Sequence, residues 1–359
     1  MHMADALLSP AVGGTMWAAT AGMIAYCSKK VREEMDDKKI PLMGVLGAFI
    51  FASQMINFSI PATGSSGHLG GGMILAILLG PYAAFLTIAS VLVVQALFFA
   101  DGGLLALGCN IFNLGFFPAF IVYPFIYKKI VGSNASQGKI TVAAIISAII
   151  SLQLGAFGVV LETTTSGISS LPFSTFLTIM QPIHLGIGIV EGLVTAMVIN
   201  FIYKARPEIV LNTQISESTP GVSIRSLVAA LLAVALLTGG VISWFACKDP
   251  DGLEWSIKKV TGKEEVEATP IGIHAALAEL QERLSFMPDY SFREADAIKK
   301  NEAIIMDESS HGAAAITKKE EEGNKLGKSV AGIVGGIMTL ILALAIGTVL
   351  KKFATTQAH

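Results

Sequence analysis

The sequence predicts an all-α fold: a polytopic transmembrane helix bundle of about nine membrane segments, one of them short, with a small extracytoplasmic domain between the last two spans. Three observations carry this expectation. Of 359 residues, 53% are hydrophobic and only 14% charged, against about 25% charged in an ordinary soluble protein, and the mean hydropathy is +0.65. The charges are clustered, because residues 248–328 hold 29 of the 52 charged side chains and the other 278 positions share 23. Outside that block, apolar runs of about 20 residues, enough to cross ~30 Å of hydrocarbon, recur along the chain. This composition excludes a disordered chain, a coiled coil and a disulfide-rich secreted domain. A net charge of −2 without a basic, aromatic-interleaved patch gives no footprint for nucleic acid. Cys27, Cys109 and Cys247 are far apart and odd in number, so they read as apolar fillers rather than a redox pair or zinc site.

Taken in order, the expected spans lie near 9–29, 41–59, 82–100, 104–127, 139–161, 175–203, 223–245 and 328–350. A short apolar run, 70–80, ends at the Gly80-Pro81 break. Eleven residues reach only about 16 Å as helix, so this piece sits inside the bundle, where irregular backbone is tolerated. The 13 basic residues outside the charged block fall in four places: Lys29 to Lys39, Lys128 to Lys139, Lys204 to Arg225, and the Lys351-Lys352 tail. Counting 70–80 as a crossing puts all four on one side, which the positive-inside rule makes cytoplasmic. Met1, the loop around His68, Asp101–Gly103, Glu162–Ser170 and the insert are then extracytoplasmic, in a multi-pass protein of the cell membrane with a cytoplasmic C-terminus. The N-terminus lacks the basic region of a cleavable signal.

Residues 1–206 form a front unit, 207–222 a linker, and 223–352 a back unit whose spans, 223–245 and 328–350, flank an extracytoplasmic domain at 246–327. Within that domain Ile273, Leu277, Leu280 and Leu284 recur at helical spacing, predicting a helix over Ile271–Leu284. The stretch Ser309–Asn324, rich in Lys, Glu and Ala, reads as flexible.

Chemistry concentrates at the front. A chain starting Met1-His2 keeps its methionine, so the α-amine, the His2 amide nitrogen and the His2 imidazole can chelate one ion in fused five- and six-membered rings. One further imidazole completes four nitrogens in a plane, which suits Ni(II) or Cu(II) and is poor for zinc or magnesium. In Gly64-Ser65-Ser66-Gly67-His68-Leu69-Gly70-Gly71-Gly72, five glycines in nine residues present the His68 imidazole on a loop that neighbouring backbone can approach closely. Each feature also has a plain alternative: a Met-His start occurs by chance, and a glycine loop can serve helix packing alone. The topology places Met1 and His68 on one face, which favours reading them together.

Asn57, Gln95, Asp101, Asn110, Asn113, Gln153, Gln181, His184 and Glu191 are polar residues in the apolar part. Such groups mark pathways or act as interhelical hydrogen-bond glue. His184 and Glu191, seven apart on one helix face, are a candidate pair. His274 and His311 read as solvated surface histidines. Gly323-Asn324-Lys325-Leu326-Gly327-Lys328-Ser329 is one residue short of a phosphate-binding loop.

The stretch Met1 to Pro10, the loop Pro61 to Gly72 with Gly80-Pro81-Tyr82, and Pro182-Ile183-His184-Leu185-Gly186 through Glu191-Gly192 resemble the CbiM/NikM family over roughly residues 1–205. These are substrate-binding membrane components of energy-coupling-factor (ECF) transporters for cobalt and nickel. Residues 223–352, with Pro250-Asp251-Gly252-Leu253-Glu254, resemble the family's NikN/CbiN partner, here fused. The resemblance implies a metal site made of the Met1 amine, the His2 amide and imidazole, and the His68 imidazole. It implies Ni²⁺ or Co²⁺ as cargo, no resident cofactor, and no catalytic residue. The partners it implies are a transmembrane coupling subunit, cytoplasmic ATPase subunits and the lipid bilayer. Residue 3 is Met where the family often has Ile, a departure without consequence if residue 3 donates no side chain. Two other readings compete: an intramembrane metalloenzyme built on His184 and Glu191, and a scaffold whose Met-His start is accidental.

Overall fold

The computed structural model describes residues 2–34, 39–211, 222–264, 266, 271–292 and 313–356. Met1 and His311 lie outside these, as do 212–221 of the linker and 293–312 of the insert.

The front unit opens with a 3-10 turn, Asp5–Leu7, and helix α1, Pro10–Glu33. Ser9 caps α1 by accepting the Val12 N–H, and Pro10, with no N–H to satisfy, starts it. After α2 (Lys39–Gln54) comes a two-stranded antiparallel hairpin, β1 (Phe58–Ile60) and β2 (Ser65–Gly67), which pairs Phe58 with Gly67. The all-α expectation did not contain it, because each strand has only three residues. The predicted short segment is α3, Gly72–Leu79, with all eight residues buried. At about 12 Å it cannot cross a bilayer alone. Gly80, at φ +81°, turns the chain, and Pro81 begins α4, Pro81–Phe99.

Helix α5, Leu107–Val131, is π-helical through Phe112–Tyr127, where it contains Pro118 and Pro124. Proline removes a ladder hydrogen bond and crowds the preceding turn, and a wider register accommodates both. Helices α6 (Gln137–Ser166) and α7 (Phe173–Ala205) pack along each other. Gln153 and Gln181 tie them by donating to each other's backbone carbonyls at 3.0 and 3.2 Å, the glue role anticipated for these residues. The opposite side of α7 exposes Leu185, Ile189, Leu193, Met197 and Phe201. This i, i+4 apolar stripe is what a lipid-facing helix surface requires.

The back unit comprises α8 (Ile224–Gly240), α9 (Gly252–Thr261), α10 (Ile273–Leu284) and the long α11, Ala313–Thr356. Helix α11 absorbs Ala313–Asn324, which the sequence suggested was flexible, and runs unbroken through the phosphate-loop look-alike. Among the described residues, five helices are long and apolar enough to cross a membrane: α4, α5, α6, α7 and Lys325–Ala354 of α11. Helices α2 and α8 are apolar but shorter.

The back unit is docked, not appended. Helix α2 lies against α11 and α8, and small residues allow the approach: a Cβ at Gly335 would stand 2.0 Å from the Phe51 ring. Where α8 crosses α11, a Cβ at Gly332 would lie 2.4 Å from the Gly239 carbonyl oxygen. Close backbone contact between small residues is the main source of helix association in lipid. Gly332→Leu is therefore expected to cost about 1–3 kcal/mol by overpacking, read as a lowered unfolding midpoint of the detergent-purified protein. An unchanged midpoint would refute this packing.

Candidate metal centre

The segment before α1 enters the end of the bundle as irregular backbone, and side chains of the bundle satisfy it. The Met3 N–H donates to Asn110 Oδ1 at 2.8 Å and Asn110 Nδ2 returns a bond to the Met3 carbonyl at 3.3 Å. The Gly103 N–H also donates to that carbonyl, and the Ala106 N–H donates to Asp5 Oδ1, both at 2.9 Å. A Cβ at Gly103 would lie 1.9 Å from Asp5 Oδ1, so only glycine fits. Met3 is fully buried by this arrangement.

His2 is thereby delivered to His68. Their rings stack with centroids 5.0 Å apart and 10° between planes. Two imidazoles on one ion have centroids at most about 6.4 Å apart, given metal–nitrogen bonds of about 2.0–2.1 Å, so the pair lies within reach of a single ion. His2 Nδ1 sits 3.0 Å from Asp101 Oδ1, while His2 Nε2 is buried without a hydrogen-bond partner among the described residues. The six-membered chelate ring through the His2 amide closes on Nδ1. Capture by that chelate therefore displaces the contact between Nδ1 and Asp101. His68 Nδ1 lies 3.1 Å from the Leu69 carbonyl, which makes Nδ1 the protonated nitrogen and leaves a lone pair on Nε2. Among the described residues, no three His, Cys, Asp or Glu side chains are placed to hold a metal.

Two carboxylates flank the histidines. Burial alone would raise the Asp101 pKa, but the His2 imidazole and the Tyr290 hydroxyl, which donates to Asp101 Oδ2, hold it below the usual carboxylate range. Asp251 Oδ2 stands 4.0 Å from His68 Nε2, across a gap rather than in an ion pair, since burial keeps the ring neutral. A cavity of about 430 Å³ opens beside His2 between the N-terminal segment, α9 and α10. Its walls carry Asp101, Asp251, Glu254, Glu264 and Asp289 and, among the described residues, no lysine or arginine. That sign favours cations.

His184 and Glu191 do not pair. Seven residues along a helix separate them by about 10.5 Å. His184 Nδ1 donates to the Met180 carbonyl at 2.8 Å, while the Glu191 carboxylate accepts the Gly70 and Gly71 N–H groups. The metalloenzyme reading thus loses its dyad. His274 is buried, not solvated, with Nε2 donating to the Leu8 carbonyl at 2.9 Å. On α10 the predicted apolar positions Ile273, Leu280 and Leu284 are exposed instead. The docking face is polar because it meets backbone carbonyls: Gln281 Nε2 donates to those of Ala96 (2.8 Å) and Gly102 (2.7 Å).

Comparison with known proteins gives the family. Residues 2–209 match the CbiM family, described as the cobalt uptake substrate-specific transmembrane region. The chain belongs to that family. Residues 225–352 match the PDGLE domain. A chain of Archaeoglobus fulgidus assigned as a fused nickel transport protein, NikMN, is 35% identical over 66% of this chain and 76% of its own length. The fused nickel transport protein NikMN of Rhodobacter capsulatus is 28% identical over 81% of this chain and 88% of its own. A crystal structure of a transition metal transporter superposes with a TM-score of 0.51 at 30% identity, covering 57% of this chain and 93% of that one.

Pro250, Asp251 and Gly252 meet the CbiM region, and Asp251 and Glu254 cap α9. The Pro250 carbonyl accepts the Ser66 N–H at 2.8 Å, adding an edge to β2. Asp251 Oδ1 caps α9 by accepting the Leu253 and Glu254 N–H groups, and its other oxygen faces His68. A Cβ at Gly252 would meet Ile187 at 3.0 Å and the His184 ring at 3.1 Å. Leu253 is buried. Glu254 Oε2 accepts the Asp251 N–H at 2.9 Å and closes the capping box.

Burial pushes the His68 pKa from 6.5 down to about 3. The unfolded chain therefore takes up this proton first, and the metal-free fold loses stability as pH falls from 6.5 toward 3. His68→Gln is expected to flatten that part of the profile, measured as unfolding midpoint against pH. Parallel profiles for the two proteins would contradict it.

Proposed function

We propose that this chain is the substrate-binding membrane subunit of an energy-coupling-factor ABC importer, capturing Ni²⁺ outside and delivering it to the cytoplasm. The observation that carries the reading is the N-terminal segment threaded into the bundle, with His2 stacked on His68 and lining an acidic cavity. With Met1 as the first residue of the working protein, its α-amine, the His2 amide and imidazole, and the His68 imidazole supply four nitrogens. ATP hydrolysis belongs to separate cytoplasmic subunits acting through a transmembrane coupling subunit. Nine membrane segments, counting α3, place the basic loops inside and the cavity with residues 246–327 outside.

Nickel is chosen over cobalt on donor chemistry. Nitrogen sites bind Ni²⁺ more tightly than Co²⁺, and a planar four-nitrogen set favours nickel further. The fused relatives carry nickel names, which supports the choice. A relative from Geobacter sulfurreducens, 26% identical over 67% of this chain, is named cobalt transport protein CbiM. Co²⁺ is accordingly the second reading.

Ni²⁺ titration of the purified protein tests the site. His68→Ala and a variant with residues added before Met1 are each expected to weaken binding at least about 100-fold, the scale on which lost donors act. Unchanged affinity in both would overturn the site. The orientation has its own check, in a Cys247→Ser background. A cysteine at Ile271, which is 72% exposed, is expected to react with a membrane-impermeant thiol reagent in intact cells. One at Lys351 is expected to react only after permeabilisation, and the reverse pattern would invert the topology.

A further inference from the structure

Strand β2 holds the loop that carries His68 up to Gly67, but the residues after His68 have little of their own to hold them. Gly70, Gly71 and Gly72 follow His68-Leu69 in the sequence, and Gly71 adopts φ +76° at the start of α3. Such a run has wide conformational freedom, yet a metal ligand must be held within about 0.5 Å. Two buried side chains remove that freedom. Glu191, from α7, accepts the Gly70 N–H at 2.8 Å with Oε2 and the Gly71 N–H at 3.0 Å with Oε1. Gln54, from α2, donates to the Gly70 carbonyl at 2.9 Å. Both are almost wholly buried, at 2% and 4% exposure, so no water competes for these groups. A Cβ at Gly70 would come 3.2 Å from Glu191 Oε2, so glycine is what lets the carboxylate sit against the chain.

We propose that Glu191 is a positioning residue for the metal site: its carboxylate clamps the Gly70 and Gly71 amides and so fixes where the His68 imidazole stands. This rests on His68 being a ligand. A glutamine at 191 offers one acceptor for two N–H groups and turns an NH₂ toward the other. An aspartate keeps the charge, but its arm is one carbon shorter and does not span both amides.

The test uses the full chain in detergent, with Glu191→Gln, Glu191→Asp and His68→Ala compared by Ni²⁺ titration, the visible spectrum of the bound Ni²⁺, and amide hydrogen exchange of the metal-free protein. Glu191→Gln is expected to weaken Ni²⁺ binding about 10–100-fold, as groups that orient ligands do, and to shift the spectrum. Exchange should quicken at Gly70 and Gly71 while the amides of Leu78 and Leu79 and the thermal midpoint stay unchanged. Glu191→Asp should fall between the two and decides the matter if Glu191→Gln does not fold. Loss of binding in His68→Ala with near wild-type affinity and spectrum in both Glu191 variants would refute the clamp alone. Wild-type affinity in His68→Ala would remove the site, and the positioning role with it.

Discussion

Buried irregular backbone must find hydrogen-bond partners, and the site end of this molecule is organised around that demand. Two non-helical segments enter the bundle there, the N-terminal residues and the glycine loop. Asn110 and the Gly103 amide satisfy the first; Glu191 and Gln54 satisfy the second. Asn110 and Glu191 appeared in the sequence as polar residues in apolar helices and are assigned to this task, whereas Gln54 did not stand out there. His2 and His68 meet because each is carried on a segment whose path those bonds dictate.

The back unit meets the same demand from above. It offers its own carbonyls to the Ser66 amide and hydroxyl and takes the carbonyls of Leu8, Ala96 and Gly102 with His274 and Gln281. Its Tyr290 reaches Asp101, which in turn holds His2. The covering domain is thus joined to a candidate ligand through a chain of two hydrogen bonds.

Much of this was legible in advance, and the limits have physical causes. The apolar runs, the Gly80-Pro81 break and the buried character of 70–80 follow from composition and from the conformational rules of glycine and proline. His2 stood out because it follows Met1 in a chelating position, and His68 because it sits in a glycine-rich loop. The partners of His2 did not. Asp101 and Tyr290 are 189 positions apart, and no local spacing encodes their meeting. On α10, periodicity gave the helix, which forms as Ile273–Leu284, but not the side that docks, which reaches backbone carbonyls through His274 and Gln281. His184 and Glu191 share a helix face, but a shared face says nothing about distance along the axis. What each side chain binds was set by the neighbouring elements.

The strand-like pairing of Ser66 with Pro250 joins residues 184 positions apart, one in the CbiM region and one in the PDGLE domain. When two units are joined covalently, their association becomes a unimolecular step governed by effective concentration, of millimolar order for short tethers. Dilution in the membrane cannot dissociate the cover from the histidines beneath it. Synthesis of one polypeptide also fixes their ratio at one to one, so no uncovered copy is made in excess.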